Sequence, residues 1–231
     1  VNALDYFIAL QHLVQCDIRS TPFITKMFTN LVLTDPGFDR RIPTRPQFDK
    51  INYEGADVLD VEPGVYDNVG ILDIKAMYHS NANKYNISWD TLSPDGEDCG
   101  NGTKFRTDTK GVLIRQMDYM TKMRNEFKAL MKSDPNNIKK WDTMQFAAKT
   151  LVASMYGVAG DAKYGMYHPD IAAAITYTSR QTLGELMVEA QRVGFNVIYG
   201  HTDSVFCEIP YPDDGMRLLP VINEKMAPIE V

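Results

Sequence analysis

The feature that most constrains this chain is a pair of apolar stripes at helical spacing with one short break between them. Leu113, Met117, Met120, Met123, Phe127 and Met131 mark the first, over 112–132. Trp141, Met144, Ala148, Leu151 and Met155 mark the second, over 138–156. Residues three and four apart share a helix face, so each stripe predicts an amphipathic helix that must bury one side. The break, Ser133-Asp134-Pro135-Asn136-Asn137, is dense in turn formers and too short to let the helices separate. The two helices therefore form an antiparallel hairpin. Short apolar runs with strand character lie on both sides of it. VGILDI at 69–74 comes before, read as a buried strand; FNVIY at 195–199 and VFCEI at 205–209 come after, joined by Gly-His-Thr-Asp-Ser as a β-hairpin. The expected class is α+β.

The rest of the chain reads more loosely. Residues 2–33 are expected to be helical, with Leu4, Ile8 and Leu13, then Phe23, Met27 and Leu31, near helical spacing. A second helix is expected to begin at Pro22 with Thr21 as its cap. Residues 34–63, with Pro36, Pro43, Pro46 and Gly55, read as an irregular connection with at most one short strand. Residues 75–83 read as a short helical turn, and SPDGEDCGNG at 93–102 as a loop. A third long helix is expected over 171–193, between His168-Pro169-Asp170 and Gly194.

Charge separates the hairpin from its surroundings. The 231 residues carry 24 Lys+Arg against 30 Asp+Glu, a net of −6 that at face value argues against a polyanionic partner. Residues 103–150, however, hold 11 Lys+Arg against 5 Asp+Glu, a net of +6, and the remainder carries −12. A basic hairpin on an acidic body does not exclude nucleic acid; it predicts weak binding by this chain alone. Cys16, Cys99 and Cys207 are an odd, widely spaced set, which suits a reducing interior. No histidine or cysteine spacing suggests zinc. No run approaches the ~20 apolar residues of a membrane helix, and no secretory pattern opens the chain. The first residue is Val1, which raises the expectation that the sequence is a piece of something longer.

Two carboxylates stand out. Asp73 ends an apolar run in LDIKAMY, and Asp203 sits at the hairpin tip in YGHTDS. Singly, each is a turn residue. Together, on neighbouring strand ends, they can hold two divalent cations that activate an attacking oxygen and stabilise a leaving one in phosphoryl transfer. On the helical hairpin, Arg124 and Lys128 share one face, and Lys149, Ala153 and Tyr156 share another. A basic face on each helix suits a triphosphate, which needs several donors at once. For Arg124 and Lys128 alone, a solvated surface stripe is the better reading. Lys149, inside AAKTLVASMYG, would be out of place in solvent.

These residues carry a resemblance to DNA polymerase family B. DIKAMYHSNANKYNISWDTL at 73–92 resembles the family's motif A, KTLVASMYG at 149–157 its motif B, and YGHTDS at 199–204 its motif C, in the family's order. RNEFK at 124–128 resembles the R-x-x-x-K pair of the first fingers helix, and EGADVLDVEPGVYDNV at 54–69 the segment leading into motif A. VNALD at 1–5 resembles the end of the third exonuclease motif, with Val1 in place of Tyr. The NIS-x-x-T stretch leans towards the phage T4-like branch.

The resemblance implies a polymerase palm, an antiparallel sheet with helices on one face, interrupted by an α-helical fingers hairpin. Residues 1–35 would end an exonuclease-like helical segment, 36–102 and 158–231 would be the two parts of the palm, and 103–157 the fingers. Asp73 and Asp203 would ligate metal, assisted by the Ile74 carbonyl. Tyr78 would exclude a 2′-hydroxyl as a steric gate, with Ala76 and Met77 beside it in the dNTP site. Arg124, Lys128 and Lys149 would bind the triphosphate, and Lys149 would also protonate the leaving pyrophosphate. Tyr156 would lie against the nascent base pair, and Thr202 and Ser204 would flank the motif C carboxylate. The implied cofactor is Mg²⁺, two ions, with Mn²⁺ able to substitute. Implied partners are primer–template DNA, dNTPs, a thumb and exonuclease parts or a second polymerase subunit, and a sliding clamp, with no membrane. The implied location is intracellular, in the cytoplasm of a bacterial host for a phage enzyme.

The sequence departs from the pattern at four places. His201 replaces the first Asp of motif C, Ala153 the Asn of motif B, His79 the Pro and Ala76 the Ser of motif A. Asp60-Val61-Glu62 has the letters of the first exonuclease motif D-x-E but stands just before motif A, so no proofreading is expected from these residues, and no thumb or K-x-Y segment is expected among the residues after motif C. The loss of a carboxylate and an amide keeps a second reading open, a catalytically degenerate homologue that binds nucleic acid or a partner. A reverse transcriptase would carry Asp-Asp at the hairpin tip instead of Thr-Asp. Protein priming would need more chain than 90–111 offers.

Overall fold

A computed structural model describes residues 2–39, 41–42, 48–56, 58–211 and 213–231. Val1, Pro43 and Pro46, singled out above, lie outside the described residues. Helix α1 spans Ala3–Val14 and α2 Ile24–Leu33, separated by a 3-10 turn at Ile18–Ser20. Strand β1 follows at Val69–Asp73, then α3 at Met77–Tyr85 and a small β2–β3 ribbon at Leu92–Asp98 and Lys104–Phe105. The helical hairpin is α4, Val112–Ser133, and α5, Ile138–Met155. Helix α6, Pro169–Arg192, leads to strands β4, Asn196–His201, and β5, Ser204–Glu208, and to α7, Asp214–Met226.

The predicted hairpin stands almost residue for residue. Leu113, Met117, Met120 and Phe127 of α4 are buried, as are Met144, Ala148, Leu151 and Met155 of α5. Phe127 and Trp141 stack near the turn, centroids 6.1 Å apart and planes 11° from parallel. Asp134 accepts from the Trp141 indole at 3.0 Å, which closes the turn.

Helix α6 is the spine between two cores. Its first half, with Ile171, Ala172, Ala174 and Ile175, joins the large core under α1, α2, α4 and α5. Its second half, with Leu183, Leu186 and Ala190, covers one face of the sheet β1-β5-β4 together with Ile222 and Met226 of α7. All pairings in that sheet are antiparallel. The other sheet face carries no helix among the described residues, and Val69 and Ile71 on it are 44% and 59% exposed. The expectation of a buried strand at 69–74 is therefore corrected. This is an edge strand, whose alternate side chains Leu72 and Ile74 are buried and whose others are not.

Other expectations fail for local reasons. The second helix starts at Ile24 and not Pro22, and Thr21 does not cap it; its hydroxyl donates back to the Ile18 carbonyl at 2.7 Å. Leu4 and Ile8 face solvent, because α1 buries the face of Ala9, Leu10, Leu13 and Val14 instead, and Phe23, just before α2, is exposed as well. The loop expected at 93–102 begins as strand β2. Gly96 lets it form: a Cβ there would come within 2.4 Å of the Phe105 backbone. A register shift between Leu92 and Glu97 absorbs the irregular composition. Helix α7, which contains Pro220, was not anticipated.

One buried ion pair ties the base of α4 to the chain after α2. Asp35 accepts from Arg115 at 2.8 Å and from the Gln116 amide at 2.8 Å. Burial pushes the Asp35 carboxyl up, but the Arg115 and Gln116 donors and the Gly37 N–H outweigh it and hold it below its ordinary value of 3.8. A depressed carboxylate stabilises the fold above its unfolded pKa, and that stabilisation is lost as pH falls through the lower folded value. Asp35→Ala leaves Arg115 only its longer contact to Asp90, at 3.5 Å, and the Lys110 carbonyl, and is expected to cost about 2 kcal/mol at neutral pH. The difference from wild type should narrow below about pH 4 in chemical denaturation, because protonated Asp35 no longer stabilises the parent.

Candidate active site

The sheet brings the two carboxylates together. Asp73 ends β1 opposite Ser204, the first residue of β5. Thr202 and Asp203 form the turn from β4 into β5, with Thr202 in the left-handed region at φ 55°. The Ile74 N–H donates to the Asp203 carbonyl at 2.8 Å, which fixes the turn against the end of β1. The Ser204 hydroxyl stands between the acids, 2.8 Å from Asp73 Oδ1 and 3.5 Å from Asp203 Oδ1.

Desolvation does not threaten Asp73, because it is exposed, and Asp203 is half-buried. Among the described residues neither acid is in an ion pair. Nor do three or more His, Cys, Asp or Glu side chains gather into a metal-sized cluster there. Two adjacent, uncompensated, solvent-accessible carboxylates nevertheless suit a hard divalent cation that keeps several of its waters. His201 is exposed and pairs across the hairpin with Ser204.

Beside the acids lies a group of phenols. Ala76 adopts φ 46° ahead of α3, and the turn it makes starts that helix directly below the strand end. Tyr78 then stacks on Tyr156 at the end of α5, ring centroids 3.9 Å apart. Burial, then the neighbouring Tyr156 hydroxyl and the negative Asp203, drives the Tyr78 phenol far above its usual range. It is neutral at any working pH. Tyr53 is also raised, by burial and by Tyr156 and Tyr167. Gly160 makes its seat: a Cβ there would lie 2.2 Å from the Tyr53 hydroxyl. Sequence reading missed Tyr53, which sits just before the segment leading into motif A. Met77 was expected in a ligand site, but its side chain is buried in the sheet core with Leu72 and Ile74. Ala76 is exposed beside it.

The hairpin cations divide differently from expectation. Lys149 is exposed, a correction to the reading that AAKTLVASMYG would enclose it; the buried face of α5 is that of Ala147, Ala148 and Leu151. Lys149, Ala153 and Tyr156 do share a face, with Lys149 about 10 Å along the axis from the tyrosine stack. Lys128 is exposed as well. Arg124 is half-buried next to Phe127, and its Nε is buried without a hydrogen-bond partner.

This fold is similar to that of a solved polymerase. The structure of the family B DNA polymerase from Pyrobaculum calidifontis matches with a TM-score of 0.74 and 26% identity, over 99% of this chain and 32% of that one. The description "DNA polymerase family B" matches residues 17–223, and the chain belongs to that family. Among its relatives, DNA polymerase 2 of Aeropyrum pernix is 30% identical over 80% of this chain. The DNA polymerase of Archaeoglobus fulgidus is 33% identical over 78%. The chain spans about a quarter of the length of either, 24%. Both organisms are archaea, and the leaning towards a phage T4-like branch finds no support in them.

Proposed function

We propose that this chain is the palm and fingers of a DNA-dependent DNA polymerase, with the fingers over 103–157 and the palm in two parts around them. The observation that carries the reading is the Ser204 hydroxyl standing between two unpaired carboxylates, Asp73 and Asp203. Two Mg²⁺ ions, held by Asp73, Asp203 and the Ile74 carbonyl, would activate the primer 3′-hydroxyl and neutralise charge on the phosphates. Arg124, Lys128 and Lys149 bind the triphosphate and set the α-phosphorus in line with that hydroxyl. The hydroxyl oxygen gives up its proton to water and bonds to phosphorus as the bond to pyrophosphate breaks, and Lys149 gives a proton to the leaving oxygen. The Tyr78–Tyr156 stack supports sugar and base. Primer–template DNA and dNTPs are the substrates. Further polymerase segments, a second subunit or a sliding clamp would strengthen a DNA grip that the chain's acidic balance leaves weak.

The test is Mg²⁺-dependent incorporation on a primed template by the full chain, read at single-nucleotide resolution. Template-directed extension that EDTA abolishes is the expected result. DNA binding and dNTP binding with no extension at any Mg²⁺ or Mn²⁺ concentration would favour the second reading, a degenerate homologue acting as a binding module. His201 and Ala153 are the observations on that side.

A further inference from the structure

Residues 86–91 connect α3 to β2. The side chains of Asn86, Ser88 and Asp90 turn to one task. Helix α4 starts at Gly111–Val112 without a cap of its own. Its first three amide donors, which no carbonyl within the helix can serve, are met from outside. The Gly111 N–H donates to Asn86 Oδ1 at 2.9 Å, the Val112 N–H to Asp90 Oδ1 at 2.9 Å, and the Leu113 N–H to Ser88 Oγ at 3.1 Å. The socket is internally braced. The Ser88 hydroxyl donates to Asp90 Oδ1 at 2.7 Å, and the Asn86 amide donates to the Thr109 carbonyl at 2.7 Å. Ser88 is fully buried, and a Cβ on Gly111 would lie 2.3 Å from its own. Asn86 is at the same time the C-cap of α3, in the left-handed region at φ 53°. A second tie lies further up α4, where Asp118 meets His79 of α3 at 2.8 Å.

We propose that Asn86, Ser88 and Asp90 are positioning residues for the incoming nucleotide, holding the phosphate-binding helix α4 in fixed register with the Tyr78-bearing helix α3. The inference rests on the proposed role of Arg124 and Lys128. Leverage makes the socket matter: Arg124 lies about 18 Å along the axis from Val112, so a tilt of about 10° at the base moves it about 3 Å, a hydrogen bond's length.

The test is equilibrium binding of dATP with Mg²⁺ to the full chain, alongside amide exchange at 111–113 and thermal melting. Asp90→Ala is expected to speed exchange at those amides and weaken dATP about tenfold, while Asp90→Asn, an equally good cap, stays within about threefold of wild type. Ser88→Ala gives the same comparison at Leu113 should Asp90→Ala not fold. Unchanged dATP affinity with faster exchange would make the socket merely structural and overturn the inference. Asp90→Asn as weak as Asp90→Ala would also overturn it, since charge and not capping would then be at work. Wild type that fails to bind dATP sinks the triphosphate reading and this inference with it. Wild type that binds dATP but never extends a primer sinks only the polymerase reading.

Discussion

Asp203→Asn is expected to lower template-directed incorporation by at least about a thousandfold while leaving the fold intact. The backbone tie that seats the turn uses the Asp203 carbonyl and not its side chain, so the 2.8 Å bond from Ile74 survives. What changes is charge. The Ser204 hydroxyl now separates one carboxylate and one neutral amide, and the pair loses half of its claim on a divalent cation. The same change relieves an uncompensated repulsion between two acids, so the variant should melt at the same temperature as wild type or slightly higher in EDTA, the usual exchange of stability for function at a strained site. Adding Mg²⁺ should then raise the wild-type melting temperature and not that of Asp203→Asn, because only a state that binds the ion is stabilised by it. Primer extension and a pair of melts, with and without Mg²⁺, read all three effects. Activity retained within tenfold would overturn the proposed metal-ligand role of Asp203.

How much of this was legible beforehand depended on whether a residue's signal was local. The α4–α5 hairpin was, because a stripe such as Leu113, Met117, Met120 needs nothing beyond its own helix to announce burial. The β4–β5 hairpin was, because two apolar runs meet at one turn. Strand β2 was not, because Pro94 and Gly96 read as a loop until Phe105 supplies a partner. The exposure of Asp73 and Lys149 was hidden for one shared reason. Apolar neighbours along the chain do not say which side of an element faces the core, and both residues take the open side.

The site shows the same division. Asp73 and Asp203 could be paired through motif order, yet the hydroxyl between them comes from Ser204, which only strand register puts opposite Asp73. Tyr78 and Tyr156 lie 78 positions apart, and nothing in the sequence brings their rings to 3.9 Å. The socket at 86–90 carried a helix-start signal, oxygen-bearing side chains in a short run. They cap a helix that begins 22 residues after Asp90, beyond the reach of any rule about adjacent positions.

Tyr78→Ala is expected to have the second large effect, and it separates the gate from the packing. Removing the ring opens the space beside the Asp203 carboxylate, where the proposed function puts the sugar. Discrimination between dNTP and rNTP should fall by about a hundredfold, mainly through a lower KM for the ribonucleotide. The half-buried ring also stacks on Tyr156, so the variant should lose about 2 kcal/mol of stability. Tyr78→Phe keeps ring and stack but deletes the hydroxyl. It should hold sugar discrimination within about threefold of wild type if the block is steric. The phenol is held neutral by burial and by Asp203, so its proton has no acid–base part to lose, and the pH profile of Tyr78→Phe should follow the parent's. Incorporation of a single rNTP against the matching dNTP, measured for all three proteins, decides between the alternatives. Unchanged discrimination in Tyr78→Ala would remove the gate and leave the stack as core packing between α3 and α5.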